Sequence, residues 1–364
     1  MRSTRSSFRA PLALSTLALL LLTACGGGGD STDTDGGDAA PQKRFLSIGT
    51  APTGGAFFVV GGALAEVADL NNDAWTVTAE ATAGTQENIR RLTSGDLDFA
   101  MSNAAIAYFA TRGEGGWDQA HDVKTVMTLA PNIALFITPK DSGITSIGDL
   151  AGQRVVVGPA GAGFEMFIGP LLESHGLSYD DFTPINATQS GAVDLLSDGS
   201  AAAAFLGGAV PTASIVQAAT SMDILMVPFD DAAKAKAMAD YPFFAPATVP
   251  AATYRGQEAD YAGLNVGNMH LITAASVDEE LVYQFTKTIY ENRDAVVERH
   301  PAGKAINPKN AARFTGVDFH PGAIRYYKEM GIWPEDESAE DGSTESGEPA
   351  AEGDAAEGDA TPES

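Results

Sequence analysis

The sequence holds a single cysteine in 364 residues, Cys25, so no disulfide can form within the chain and the folded body must be held by packing alone. Cations are scarce as well. Against 48 Asp and Glu stand 22 Lys and Arg, for a formal charge of -26. Nucleic acid is thereby excluded as a partner class, because neutralising phosphates needs clustered Lys and Arg. None of the five histidines has H-E-x-x-H or comparable metal-ligand spacing, no G-x-S-x-G elbow occurs, and the lone thiol lies near the start. With neither a nucleophile nor an acid–base or metal constellation, the expectation is a binding protein and not an enzyme, with no cofactor and no metal.

Long apolar runs are missing too, except one. Arg2, Arg5 and Arg9 precede "PLALSTLALLLL", which reads as an export signal over 1–25, too short for a membrane span. The following "LTAC" resembles a bacterial lipobox, which makes Cys25 the expected lipid anchor. The expected address is therefore the periplasm or cell surface, on a membrane anchor. Residues 26–43 are mostly Gly, Asp, Ser and Thr and read as a flexible tether; 335–364 carry twelve of the acids and read as a disordered tail. The remaining body, with 44% apolar residues over the whole chain, can fill about two cores.

What is plentiful is glycine, placed between strand and helix patterns. "SIGTAPTGGAFF", 47–58, runs from a strand-like segment through a Gly-rich turn into a helix. Backbone N–H groups at such a junction are unpaired, and the helix dipole adds roughly half a positive charge, so the junction suits an anion. A Walker loop is excluded because Ala56 and Phe57 stand where Lys and Ser/Thr should follow Gly55. The dinucleotide fingerprint is excluded because the next glycines after Gly49 are the adjacent pair Gly54-Gly55. A small anion such as a carboxylate remains.

The order of elements then repeats. "RVVVG", the turn "PAGAG", the helix "FEMFIGPLLESHG", "DFTPINA", "TQSGAVDLLSDGS" and "AAAAFLGG" follow the plan of the first half. Thr85-Gln86 and Thr188-Gln189 open the second helix of each half, with Thr expected as N-cap, and Gly95 and Gly199 close it. Alternating strands and helices predict two α/β lobes with mostly parallel sheets, whose ligand lies beyond the strands' carboxyl ends. "TVMTLAPNIALFITPK" and "LNVGNMHLITAASV" predict two hinge crossings, and Ser276 with Glu279 predicts a capping box for the helix that follows. Lobe one would comprise 44–133 and 274–334, and lobe two 134–273 with the hinge strands.

The ordered series "SIGTAPTGGAFF", "AEATAGTQENIRRLTSGDLDFAM", "VVVGPAGAGFE", "AAAAFLGGAVPTASI", "EELVYQFTKTIYEN" and "FHPGAIRYYKEMG" resembles the TAXI-family solute receptors of tripartite ATP-independent periplasmic (TRAP) transporters, over nearly all of 44–333. The resemblance implies a type II periplasmic-binding-protein clamshell, two α/β lobes joined by two crossing strands. It also implies a small carboxylate ligand such as glutamate or 2-oxoglutarate, and delivery to a TRAP membrane subunit. The receptor is expected to be a monomer. Carried over by residue, the first loop would present Thr50, Thr53, Gly54 and Gly55 with Phe57 as an aromatic wall, and Thr85 and Asn88 would open the next helix toward the cleft. The far lobe would contribute Gly161, Ala162, Gly163 and Phe164, then Gly207, Gly208 and Pro211. Ala162 and Phe164 stand where the family commonly has hydroxyl residues. Two alternatives stay open: an ABC-type binding protein for an organic anion, and an enzyme on the same scaffold.

Overall fold

The computed structural model describes residues 43–53 and 55–334. The expected signal, Cys25, most of the tether, Gly54 and the acidic tail lie outside them. The chain begins with β1 (Arg44–Gly49), α1 (Ala56–Leu70), β2 (Trp75–Glu80), α2 (Thr85–Ser94), β3 (Phe99–Asn103), α3 (Ala104–Arg112) and β4 (Val123–Thr128). Four of these strands form a sheet with β12 (Met269–Ala274), in the order β2-β1-β3-β12-β4. β1 runs parallel to β2, from Arg44 opposite Trp75 to Gly49 opposite Glu80, whereas β12 runs antiparallel to both β3 and β4. Every residue of β3 and β12 is buried, as expected where helices cover both faces of a sheet.

Lobe two holds β5 (Phe136–Pro139), β6 (Arg154–Val156), α4 (Glu165–Ser174), β7 (Thr183–Ile185), α5 (Gln189–Ser197), β8 (Ala203–Phe205), α6 (Ala213–Ser221), β9 (Ile224–Met226) and α7 (Asp231–Asp240). Its sheet order is β7-β6-β8-β5-β9, position for position the order of the first sheet. Each sheet thus has four strands in one direction and one reversed, and the reversed strands, β12 and β5, are those that enter from a crossing. They arrive from the cleft, where the other strands end, and so must run the opposite way. Two α/β lobes with this strand order, joined twice, are the type II periplasmic-binding-protein fold.

A two-stranded ribbon, β10 (Phe244–Val249) and β11 (Tyr261–Val266), leads back to β12. The crossings pair with each other: the Leu129 N–H donates to the Met269 carbonyl at 2.8 Å, the Met269 N–H to Ala130 at 2.9 Å, and the Val266 N–H to Asn132 at 2.9 Å. Buried asparagines brace this junction. Asn265 accepts from the Asn132 N–H and donates to Asn268, which in turn donates to the Leu129 carbonyl and accepts from Arg313.

After β12, α8 (Glu279–Glu291) and α9 (Arg293–Arg299) replace the single helix suggested by "DEELVYQFTKTIYENRDAVVERH", which breaks at Asn292. The N-cap of α8 is Asp278, whose carboxylate accepts from the Leu281 N–H at 2.9 Å; the Ser276–Glu279 capping box expected from spacing does not form. With α10 (Pro321–Glu329) and α1, α8 covers one face of the first sheet: Phe285 stacks on Phe99 with ring centroids 4.0 Å apart. α2 and α3 cover the other face and share a core with lobe two.

Candidate ligand-binding site

A cavity of about 70 Å³ lies between the lobes, and each strand-derived segment of its wall follows the carboxyl end of a strand. From lobe one come the turn after β1 into α1, Gly84 and Thr85 after β2, and Asn103 and Ile106 at the end of β3. Lobe two supplies Pro159, Ala162 and Phe164 after β6, Thr188 to Ser190 after β7, and Gly207 and Gly208 after β8. Asn132 enters from the first crossing.

Each part has a local cause. Thr50 is buried and pins the first turn to β2, donating from both its N–H and its hydroxyl to the Glu80 carbonyl, at 2.8 and 2.7 Å. Asn88 braces the turn from behind, its amide donating to the carbonyls of Thr50 (2.7 Å), Met101 (2.8 Å) and Gly49 (3.3 Å). The approach is close enough that α1 needs Gly61, where a Cβ would stand 2.6 Å from Thr50 Cγ2. Gly55 is the N-cap of α1 in extended conformation, φ -87°, with no side-chain cap. The N-cap of α2 is Gly84 and not Thr85; the Thr85 hydroxyl instead accepts from the Asn103 N–H at 3.1 Å. Thr188 does cap α5, accepting from the Gly191 N–H at 3.2 Å.

Of the sequence-predicted residues, Thr50, Thr53, Gly55, Phe57, Thr85, Ala162, Phe164, Gly207 and Gly208 lie together on the wall. Asn88 stands one layer behind it, and Gly54 falls outside the described residues. Gly161 and Pro211 are exposed away from the cavity. Gly163 meets the opposite lobe: a Cβ there would lie 2.9 Å from Gln86 Cγ.

Sequence reasoning did not single out Asn103, Asn132, Gln189 or Ser190. The match of Thr188-Gln189 to Thr85-Gln86 in the repeat points to Gln189 alone of the four. Asn132 is a polar residue in an otherwise apolar crossing, which is the informative kind of exception. It is 4% exposed and lines the cavity, yet its side-chain amide hydrogen-bonds to no described residue. Asn103 caps α3 through the N–H groups of Ala105 and Ile106 and donates to the carbonyls of Val266 and Gly267, tying the wall to the second crossing.

No charged side chain stands among the described wall residues. Positive potential comes instead from the starts of α1, α2 and α5, although the Phe58 N–H of α1 already donates to the Gly55 carbonyl at 3.1 Å and the Gly191 N–H of α5 to Thr188. The lobes also touch across Gly84 and Ala162, and Gln86 Nε2 reaches Glu165 Oε1 at 3.5 Å.

Fold and cleft together define a two-lobed protein of the periplasmic-binding class. The chain belongs to the NMT1-like family, which it matches over residues 48–331. It is similar to the alkanesulfonate-binding protein SsuA from Xanthomonas axonopodis pv. citri bound to MOPS, at 15% identity and TM-score 0.44 over 81% of this chain and 82% of that one. The periplasmic aliphatic sulphonate binding protein SsuA from Escherichia coli is similar at 13% identity and TM-score 0.43, over 80% and 84%. A structure described for glutathione import via GshT and the cystine ABC importer TcyBC of Streptococcus mutans is similar at 13% and 0.46, over 72% and 96%. The fold itself rests on the strand orders above.

Proposed function

We propose that this protein is an extracytoplasmic solute receptor that closes its lobes on a small carboxylate and delivers it to the membrane subunit of a TRAP transporter, held to the membrane through a lipid on Cys25. The observation that carries the ligand reading is the convergence of three helix starts on a cavity whose described wall has no charged side chain. A carboxylate gains about 0.3 to 2 kcal/mol from each dipole in reach and about 1.5 to 3 kcal/mol from each charge-assisted hydrogen bond. Desolvating one carboxylate costs several kcal/mol, so three or four such bonds outweigh it without an ion pair. A cation has no counter-charge on this wall. Acid–base catalysis has no titratable side chain on it either, which favours binding over turnover.

The TRAP partnership rests on the ordered motif series between Ser47 and Gly331. An ABC permease is the alternative partner, and uptake measured with each type of membrane component supplied in turn separates them. The ligand reading is tested by denaturing purified protein and identifying what is released by mass spectrometry, together with a thermal-shift screen. A ligand at 100 times its Kd adds about 2.7 kcal/mol of stability. Shifts given only by sugars or cations would sink the carboxylate reading.

A further inference from the structure

Resting on the reading of the cavity as a carboxylate receptor, we infer that its ligand is a compact hydroxy- or oxo-monocarboxylate: one negative charge at the start of α1, one neutral polar group met by Asn132, and an apolar body against Phe57, Phe164 and Phe167. The three helix starts on the wall are not equivalent. α1 has no side-chain cap and no acidic residue in its first turn. α2 carries Glu87 in its first turn, with a carboxylate oxygen 2.8 Å from the Ala83 N–H. α5 is capped by the Thr188 side chain, which takes the Gly191 N–H, whereas the corresponding N–H of α1, on Phe58, donates only to the backbone carbonyl of Gly55 at 3.1 Å. An anion is therefore drawn first to α1, and a second anion meets a helix start already partly satisfied. No Lys or Arg is on the described wall to hold it.

Two carboxylates about 6 Å apart also repel more strongly at an effective dielectric of about 20 than in water, by about thirtyfold in affinity. Beside Thr188 to Ser190 the far wall is apolar: Ala162 is 2% exposed and Phe164 packs on Phe167 with ring centroids 5.1 Å apart. Among the described polar side chains of the wall, exposed Thr53 and buried Asn132 have no hydrogen-bond partner. Asn132 is more than nine-tenths buried as a residue and lines the cavity, and its side-chain amide hydrogen-bonds to no described residue, whereas its backbone is engaged by Asn265 and Val266. An amide both donates and accepts, which suits a hydroxyl or a ketone.

The test is calorimetry on the full chain with 3-methyl-2-oxobutanoate, 2-hydroxy-3-methylbutanoate, 3-methylbutanoate, 2-oxoglutarate and malate. Either substituted monocarboxylate should bind at least tenfold more tightly than 2-oxoglutarate or malate, and about tenfold more tightly than 3-methylbutanoate, which lacks the polar group. Asn132→Leu should erase that second difference while leaving 3-methylbutanoate almost unchanged. Asn132→Asp, nearly the same in shape, should weaken all five acids. Equal or tighter binding of the dicarboxylates overturns the inference and leaves the carboxylate reading standing. An equal loss for 3-methylbutanoate and the oxo acid in Asn132→Leu overturns it as well, since that is the mark of a merely structural residue. If no acid binds and neutral solutes do, both readings fall.

Discussion

Replacing Gly55 by valine tests whether the turn after β1 holds the ligand or only connects strand to helix. The backbone there is extended, φ -87° and ψ 155°, so a β-branched residue meets no left-handed strain. Among the described residues beyond its chain neighbours, a Cβ at Gly55 would meet the Pro52 carbonyl at 3.6 Å, an ordinary contact. The added methyls must therefore point to the cavity or to solvent, and Gly55 lines a cavity of about 70 Å³. Valine is a poorer N-cap than glycine, which costs about 1 kcal/mol of stability, a few degrees in Tm at most. Losing two charge-assisted bonds from the start of α1 costs about 3 to 6 kcal/mol, at least a hundredfold in Kd. Calorimetry with the tightest acid found, alongside thermal unfolding without ligand, separates the two effects. A folded Gly55→Val protein with undiminished affinity would refute the reasoning and place any ligand elsewhere. Gly267→Ala is the converse control: φ is +104° and a Cβ would lie 2.6 Å from Asn103 Oδ1, so this change should destabilise the fold itself.

Phe285→Ala removes a ring stacked on both Phe99 and Trp75 and should destabilise by about 3 to 5 kcal/mol in denaturant titration; a loss below 1 kcal/mol would mean the core collapses around the gap. His270 is fully buried, and burial together with the Arg313 charge pushes its imidazole down to about 3. The unfolded chain therefore takes up a proton near pH 6.5 that the folded protein refuses. Its contribution is fully present above pH 6.5 and is lost as the pH falls toward 3, at about 1.4 kcal/mol per pH unit. His270→Gln should flatten the acid side of the stability curve by about one proton, and an unchanged slope counts against this assignment. Cys25→Ser should release the protein from membranes with the folded body intact; unchanged partitioning would remove the anchor proposal.

The first-half elements and the repeat were legible because strand, Gly-rich turn and helix signals are local. Boundaries set by competition were not. Ser276 and Asp278 are both good caps, and only the helix's final phase on the sheet, with Leu281, Val282 and Phe285 inward, selects Asp278. Thr85 looked like a cap by the same rule, but the Asn103 N–H claims its hydroxyl across 18 residues. The family resemblance, carried over by residue, places Asn88 at the cleft beside Thr85. The buried side of that helix carries Asn88, Ile89 and Leu92, and there its amide meets three carbonyls. Asn132 was hidden for a different reason: its role depends on two crossings meeting, and nothing within either segment announces the other.

The place of β12 bears on the order in which the molecule assembles. β12 fills the gap between β3 and β4, so the first sheet stays incomplete until residues 269–274 have been made, after the whole of lobe two. Closing a flexible loop over residues 129–268 costs more entropy than closing a short one, though only logarithmically. Once the second sheet forms, Ile133 bridges both Gly208 and Asn265, and the segment's two ends come together. The long loop then behaves as a short one. A folded second lobe therefore acts as the clasp that shortens the closure needed for the first lobe's sheet to take in Met269 to Ala274.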